Sequence, residues 1–156
     1  MTTRAVRRGQ EPDAVSPSAS PRAGQPQTVL VVDDQPEWCR LTELLLQDHP
    51  DLRLVGIATS GEEALDLLPA LRPQVAIVDV EMGDMSGFHA VRRMQKLSPG
   101  LCTILVSSED SPEFARIARI VGAAGFICKK ALSAQAVLRL VQAHRQAPAS
   151  GFALTA

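Results

Sequence analysis

Between residues 28 and 145 the chain alternates short apolar runs with longer stretches in which apolar residues recur every three or four positions. The short runs are Thr28 to Val32, Leu52 to Ala58, Val75 to Asp79, Cys102 to Ser107 and Gly125 to Lys129. Their length and β-branched content predict strands. Four of the runs are nearly continuous in apolar residues, as strands are when helices cover both faces of their sheet. The second, with Arg53, alternates more and is expected at an edge.

The intervening stretches read as helices. Pro36 suits the first turn of one, where its missing N–H costs nothing, and Ser60 followed by Glu63 has the spacing of a capping box. Ser86, Ser111 and Ser133 are further N-cap candidates. Leu41, Leu44 and Leu45, then Ala64, Leu65 and Leu68, and later Val137, Leu138 and Val141 fall at helical spacing, which predicts one apolar face for each helix. Pro69 is expected to bend or end the second helix, because it cannot donate to the helical ladder. The alternation predicts an α/β fold: a doubly wound, flavodoxin-like, five-stranded parallel sheet with helices on both faces.

Residues 1–27 break the pattern. They are rich in Pro, Ser, Ala, Gly and Gln, with Arg4, Arg7, Arg8 and Arg22 scattered among them, and read as a disordered tail. One domain over 28–145 and a short C-terminal tail over 146–156 complete the expected organisation. A net charge of −1 and 3% aromatic residues give no basic excess of the kind that nucleic acid demands, so no direct nucleic-acid partner is expected. No apolar run reaches the ~18 residues of a membrane span, and MTTRAVRRGQEP lacks a secretory apolar core; a cytoplasmic location is expected. The three cysteines, Cys39, Cys102 and Cys128, form no CxxC pair and read as small hydrophobes of a reducing compartment.

The chemistry lies where the predicted strands end. In open parallel sheets ligands bind at the carboxyl ends of the strands, where strand order reverses. The first strand ends in Asp33 and Asp34, the third in Asp79, the fourth in Ser107 and Ser108, the fifth in Lys129 and Lys130. Three carboxylates at one rim need a proton or a cation, and an all-oxygen donor set favours Mg²⁺ over zinc. Mg²⁺ keeps open positions that phosphate oxygens fill, so the rim suits a carboxylate that attacks phosphorus, with Lys129 and Ser107 contacting the phosphoryl group. His49, His89 and His144 lie outside it and share no ligand spacing. Trp38, one turn into the helix after the acidic pair, is placed either beside the site or in ordinary packing.

From about Thr28 to Ala143 the chain resembles a response-regulator receiver domain of two-component signalling, like the receivers of LuxR-type regulators. The resemblance rests on VLVVDDQP, on VAIVDVEMGDMSG with Met82 and Gly87, on ILVSS and on GAAGFICKK. It implies that Asp79 is the phosphoacceptor, that Asp34 binds Mg²⁺ directly and Asp33 largely through metal-bound water, and that Glu81 adds a backbone carbonyl. It further implies that Ser107 turns toward the phosphoryl group, that Lys129 pairs with it and that Phe126 changes position in concert. Gly83 and Lys130 stand where many members carry proline. The first change is expected to loosen the loop after Asp79.

The resemblance implies a histidine kinase or phosphotransfer protein as donor and leaves room for a phosphorylation-dependent homodimer. Too few residues follow the last helix for a helix-turn-helix output domain, so a stand-alone regulator is expected to signal by contact with a downstream protein. The face of the fourth helix, fifth strand and fifth helix, with Arg116, Ile117, Arg119 and Ile120, is the expected surface. The function is therefore that of a switch, with no small-molecule turnover expected. The alternatives are a receiver fragment of a DNA-binding regulator and a phosphorylation-independent docking module. A haloacid dehalogenase-type phosphohydrolase fits less well, because Glu81 stands where such enzymes carry a second Asp.

Overall fold

The computed structural model describes residues 24–147. In chain order the elements are β1 (Gln27–Val32), α1 (Pro36–Gln47), β2 (Leu52–Ala58), α2 (Gly61–Leu71), β3 (Val75–Asp79), α3 (Gly87–Leu97), β4 (Cys102–Ser107), α4 (Pro112–Ile120), β5 (Gly125–Cys128), a 3-10 turn (Lys129–Ala131) and α5 (Ala134–Gln146). The strands are all parallel, in the order β2-β1-β3-β4-β5. The fold is the five-stranded, flavodoxin-like sheet expected, with β2 at an edge. Its order reverses between β1 and β3, which puts the binding crevice of this architecture at their carboxyl ends.

The near-continuous apolar strands divide their side chains between two layers, because successive residues point to opposite faces. Leu30, Val32, Ala76, Val78 and Leu105 face α2, α3 and α4, where Leu65, Leu68, Val91 and Met94 meet them. Val29, Val31, Val75, Ile77, Ile104 and Val106 face α1 and α5, against Cys39, Leu46, Val137 and Val141. Cys39 and Cys102 are thus buried packing residues, while Cys128 is half-buried. No helix among the described residues is long and apolar enough to cross a membrane.

Several expectations need correction. The apolar set Leu41, Leu44 and Leu45 faces solvent, 54%, 52% and 41% exposed, and the sheet-facing stripe of α1 is Cys39, Thr42 and Leu46. Thr42 can occupy the core because its hydroxyl donates to the Trp38 carbonyl at 2.9 Å. Pro69 does not end α2; the helix continues to Leu71 and stops at Arg72, which adopts the left-handed conformation with φ 43°. The capping box at α2 is also shifted by one residue. Ser60 accepts from the Glu63 N–H, but the Glu63 carboxylate reaches back to the N–H and hydroxyl of Thr59.

Ser86 and Ser133 cap α3 and α5 through their hydroxyls, whereas Ser111 precedes α4 without a side-chain cap bond. β1 begins at Gln27, whose N–H donates to the Asp51 carbonyl, and α5 runs to Gln146. β5 ends at Cys128, leaving Lys129 in the 3-10 turn. The reading of the N-terminal tail and its arginines lies almost wholly outside the described residues, as does that of the C-terminal tail from 148 onward.

The corrected orientation of α1 can be measured. Leu46→Ala should cost about 2–5 kcal/mol in denaturant unfolding, because Leu46 is 1% exposed. Leu44→Ala should change stability by no more than about 0.5 kcal/mol. Equal losses at the two positions would contradict this orientation of α1.

Candidate functional site

The rim is built by strand ends. β1 and β3 pair in register up to Val32 and Val78, so Asp33 and Asp79 leave adjacent strands at the same level. Carboxylate oxygens of Asp33, Asp34 and Asp79 lie within 4.8 Å of one another. Asp33 is fully buried and Asp79 is 3% exposed, while Asp34 faces solvent. β4 delivers Ser107, also buried, one residue past the partner of Asp79.

Lys129 enters from the turn after β5. Its ammonium lies 2.8 Å from Asp33 Oδ2 and 3.6 Å from Asp79 Oδ2, and 4.8 Å above the Trp38 ring. The contact with Asp33 is an ion pair between side chains that are 8% and 1% exposed. Trp38 therefore meets the site through Lys129 while its ring also packs on the α1 and α5 side of the core. Its Nε1 is buried with no hydrogen-bond partner among the described residues.

One lysine does not balance this cluster. Burial, and then the charge of Asp33, push the Asp79 carboxyl up to about 6 from its ordinary 3.8, against the lowering effect of Lys129 and of the Glu81 N–H. The pocket thus lacks positive charge and offers only oxygen donors, a chemistry that fits a hard divalent cation.

Backbone amides hold the acids in place. Asp33 Oδ1 accepts from the Gln35 N–H at 2.9 Å, Asp79 Oδ1 from Glu81 at 3.4 Å and Asp34 Oδ2 from Gly83 at 3.1 Å. Ser107 Oγ accepts from the Glu109 N–H at 3.1 Å, which leaves its hydroxyl proton available. Phe126 stands half-buried in an edge-to-face row with Phe114 and Phe88, successive centroids 5.7 Å apart. The histidines stay away from the rim; His49 accepts from the Asp51 N–H and His144 contacts the Gly100 carbonyl.

The response regulator receiver domain family model matches residues 29–142, nearly all of the described chain. The chain belongs to that family. Among solved structures, the NarL signal receiver domain of Mycobacterium tuberculosis is similar over 79% of this chain and 99% of that one, with TM-score 0.70 and 27% identity. The response regulator domain of Thermotoga maritima CheB is similar over the same shares, with TM-score 0.67 and 28% identity.

Curated relatives include a protein-glutamate methylesterase/protein-glutamine glutaminase of Idiomarina loihiensis, 37% identical over 105 residues, which are 65% of this chain and 27% of that protein. The counterpart in Halalkalibacterium halodurans is 39% identical over 103 residues, 65% of this chain and 30% of that protein. The chain spans less than a third of the length of these relatives.

The receiver's loop after Asp79 differs from expectation. Gly83 was expected to loosen it, yet the loop is fastened along its length. Gly83 binds Asp34, the Gly87 N–H donates to the Val80 carbonyl at 2.8 Å, and Asp84 accepts from the N–H groups of Gly61 and Glu62 at 3.3 Å each. Asp84 thereby caps α2 from a distance. The slight burial of its carboxyl acts upward but is outweighed by these backbone amides and that of Met85, which hold it below its ordinary range. Sequence reasoning singled out Gly83 as a missing proline without foreseeing its contact with Asp34, and it missed Asp84, whose acidic side chain was the signal.

Gly87 is required by close approach. A Cβ there would meet the Asp79 carbonyl oxygen at 2.1 Å, backbone against backbone. Gly87→Ala should therefore cost at least about 1–3 kcal/mol of stability, measured by chemical denaturation. It should also displace Asp79; wild-type stability would show that α3 can slide away freely.

The charge deficit gives a pH dependence. The folded-state value of Asp79 lies above its unfolded value, so the group contributes stability that is complete below 3.8 and lost as the pH rises through about 6. In the presence of a chelator, its contribution should raise the melting temperature as the pH falls from about 7 to about 5. Asp79→Asn should remove that component; the same pH profile in both proteins would refute the assignment.

Proposed function

We propose that this receiver accepts a phosphoryl group on Asp79 from a phosphohistidine of a histidine kinase or phosphotransfer protein. The observation that carries the reading is the gathering of Asp33, Asp34 and Asp79 within 4.8 Å, with Lys129 touching two of them. A carboxylate oxygen of Asp79 attacks phosphorus as the P–N bond to the donor imidazole breaks. The bonding pair stays on the imidazole nitrogen, which takes up a proton from solvent. Asp33, Asp34, Asp79 and the Glu81 backbone carbonyl are the residues that would hold Mg²⁺. When bound, Mg²⁺ supplies the missing positive charge and draws phosphoryl oxygens toward it.

The chain's own groups carry the rest. Lys129 lies 3.6 Å from Asp79 and can exchange its Asp33 contact for the phosphoryl group. Ser107 has a hydroxyl proton to donate to it, and Phe126, held by edge contacts with Phe114, follows Ser107 inward. The change reaches the surface of α4, β5 and α5, where a groove is lined by Pro112, Ala115, Phe126, Cys128, Ala136 and Arg139. Exposed Ile120 adds apolar area on α4. In this reading the switch acts in the cytoplasm through a downstream protein, and the same face would serve a homodimer formed on phosphorylation.

A second reading is favoured by the coverage of the relatives. Since the chain spans less than a third of each, the receiver can be the input domain of a longer protein whose effector lies outside these 156 residues. Immunoblotting of the native cell separates the two: a band at the size of 156 residues supports the contact-signalling form, and a much longer species supports the input domain.

Acetyl phosphate with Mg²⁺ should label the wild type and leave Asp79→Asn unlabelled. Beryllofluoride with Mg²⁺ should change Trp38 fluorescence through Lys129, and Asp34→Ala should abolish the change. Equal absence of label in wild type and variant would leave a phosphorylation-independent docking module.

A further inference from the structure

The two most exposed large apolar side chains among the described residues are Ile120, at 75%, and Leu97, at 62%, the last residues of α4 and α3. These helices lie side by side on one layer of the sheet. Near their first turns Phe88 and Phe114 meet edge to face at 5.7 Å, and near their last turns the Gln95 side-chain amide donates to the Gly122 carbonyl. Their outward residues therefore form one surface. α3 carries Arg92, Arg93 and Lys96 and no acid, and α4 carries Arg116 and Arg119 against Glu113, all of them exposed. Positive charge is thus concentrated here, in a chain whose whole balance is 16 basic against 17 acidic residues.

Pairing within the molecule does not use up this charge. Arg93 is bridged to Glu62 at 2.8 Å and Arg116 approaches Glu113 at 3.7 Å, while Arg92, Lys96 and Arg119 have no salt bridge among the described residues. Lys96 and Arg119 complement the negative ends of their own helices, but that field fades within the last turn, and Arg92 and Arg116 stand before it. Arginine beside exposed apolar side chains is the composition of a protein-binding surface. We propose that the α3 and α4 surface docks an acidic segment of a partner protein, with carboxylates on Arg92, Lys96, Arg116 and Arg119 and apolar side chains against Leu97 and Ile120. The surface is separate from the α4, β5 and α5 groove, and its use depends on neither the cation nor the phosphoryl reading.

Charge decides against other occupants. A twofold contact of the surface with itself would set like charges against each other. A contact with the acidic α2 of a second copy, which carries Glu62, Glu63 and Asp66, would be head-to-tail and build rings or filaments rather than a dimer. Residues 1–23 hold four arginines against Glu11 and Asp13, and residues 148–156 hold no acidic side chain. Nucleic acid fits less well than a short acidic segment, because a polyanion running along α4 would meet exposed Glu109, Asp110 and Glu113 at the rim end.

A fluorescein-labelled amphipathic helix of glutamate and leucine serves as the probe, its binding read by fluorescence anisotropy at about 0.15 M salt. It should bind the wild type saturably, and Arg92→Gln, Lys96→Gln and Arg119→Gln combined should weaken it by about three- to a hundredfold. The same change at exposed Arg40, Arg53 and Arg145 removes equal net charge elsewhere and should leave binding within about twofold, since distant charges are screened. Melting shows whether each variant is folded; should the combined variant fail to fold, Arg92→Gln and Arg119→Gln are measured singly. The proposal is overturned by a wild type that does not bind the peptide or by equal losses in the two combined variants. Tighter binding of a single-stranded oligonucleotide or of phosphatidylglycerol vesicles than of the peptide also overturns it.

Discussion

Three carboxylates within 4.8 Å of one another are the constraint on which this molecule depends. At about 4 Å and an effective dielectric of about 20, a pair of like charges repels by roughly 4 kcal/mol. Three such pairs face two contacts from Lys129, and burial penalises the charge of Asp79 further. The deficit shows in Asp79, whose carboxyl is pushed up to about 6. A surface cluster would relax by turning its side chains outward. Here Asp33 and Asp79 cannot, because adjacent strands with apolar residues on both faces deliver them to the rim.

How much of this was legible follows from the same physics. Strands buried on both faces must be apolar throughout, so β3 and β4 could be read from the sequence to the residue, and the edge strand β2 from its alternation. A carboxylate after such a run stands out, which is why Asp33, Asp34 and Asp79 were legible. The face of α1 was not. Leucines at 41, 44 and 45 outnumber the inward apolar residues, and Thr42 turns inward only because a carbonyl one turn earlier takes its proton. Hydrophobicity alone cannot distinguish a solvent-facing leucine from a buried one. Helix α2 also runs two residues past Pro69, since a proline near a helix end forfeits one bond without stopping the turn that follows.

Lys129 ties the acids to the rest of the molecule. Its ammonium is shared among Asp33, Asp79 and the Trp38 ring, so any new negative charge on Asp79 competes for a group already in use. A contact of this kind with an aromatic face is worth about 0.5–2 kcal/mol. That is small beside the charge of a phosphoryl group, so phosphorylation as proposed would draw the lysine away from the tryptophan. Trp38 is accordingly both a packing residue and a neighbour of the site; the two readings of its sequence position were never exclusive.

The contacts hardest to read in advance are backbone donors meeting side chains far along the chain. Gly83 carries no side chain and no charge, yet its N–H is what Asp34 meets, 49 residues away. The choice of donor has an energetic logic. A second lysine at Asp34 would orient it equally well, but it would bring a full positive charge into the space a cation must enter. A neutral amide contributes about 0.5–1.5 kcal/mol net, enough to bias a side-chain rotamer and far below the electrostatic demand of the cluster. The pocket can therefore be ordered before its charge is balanced.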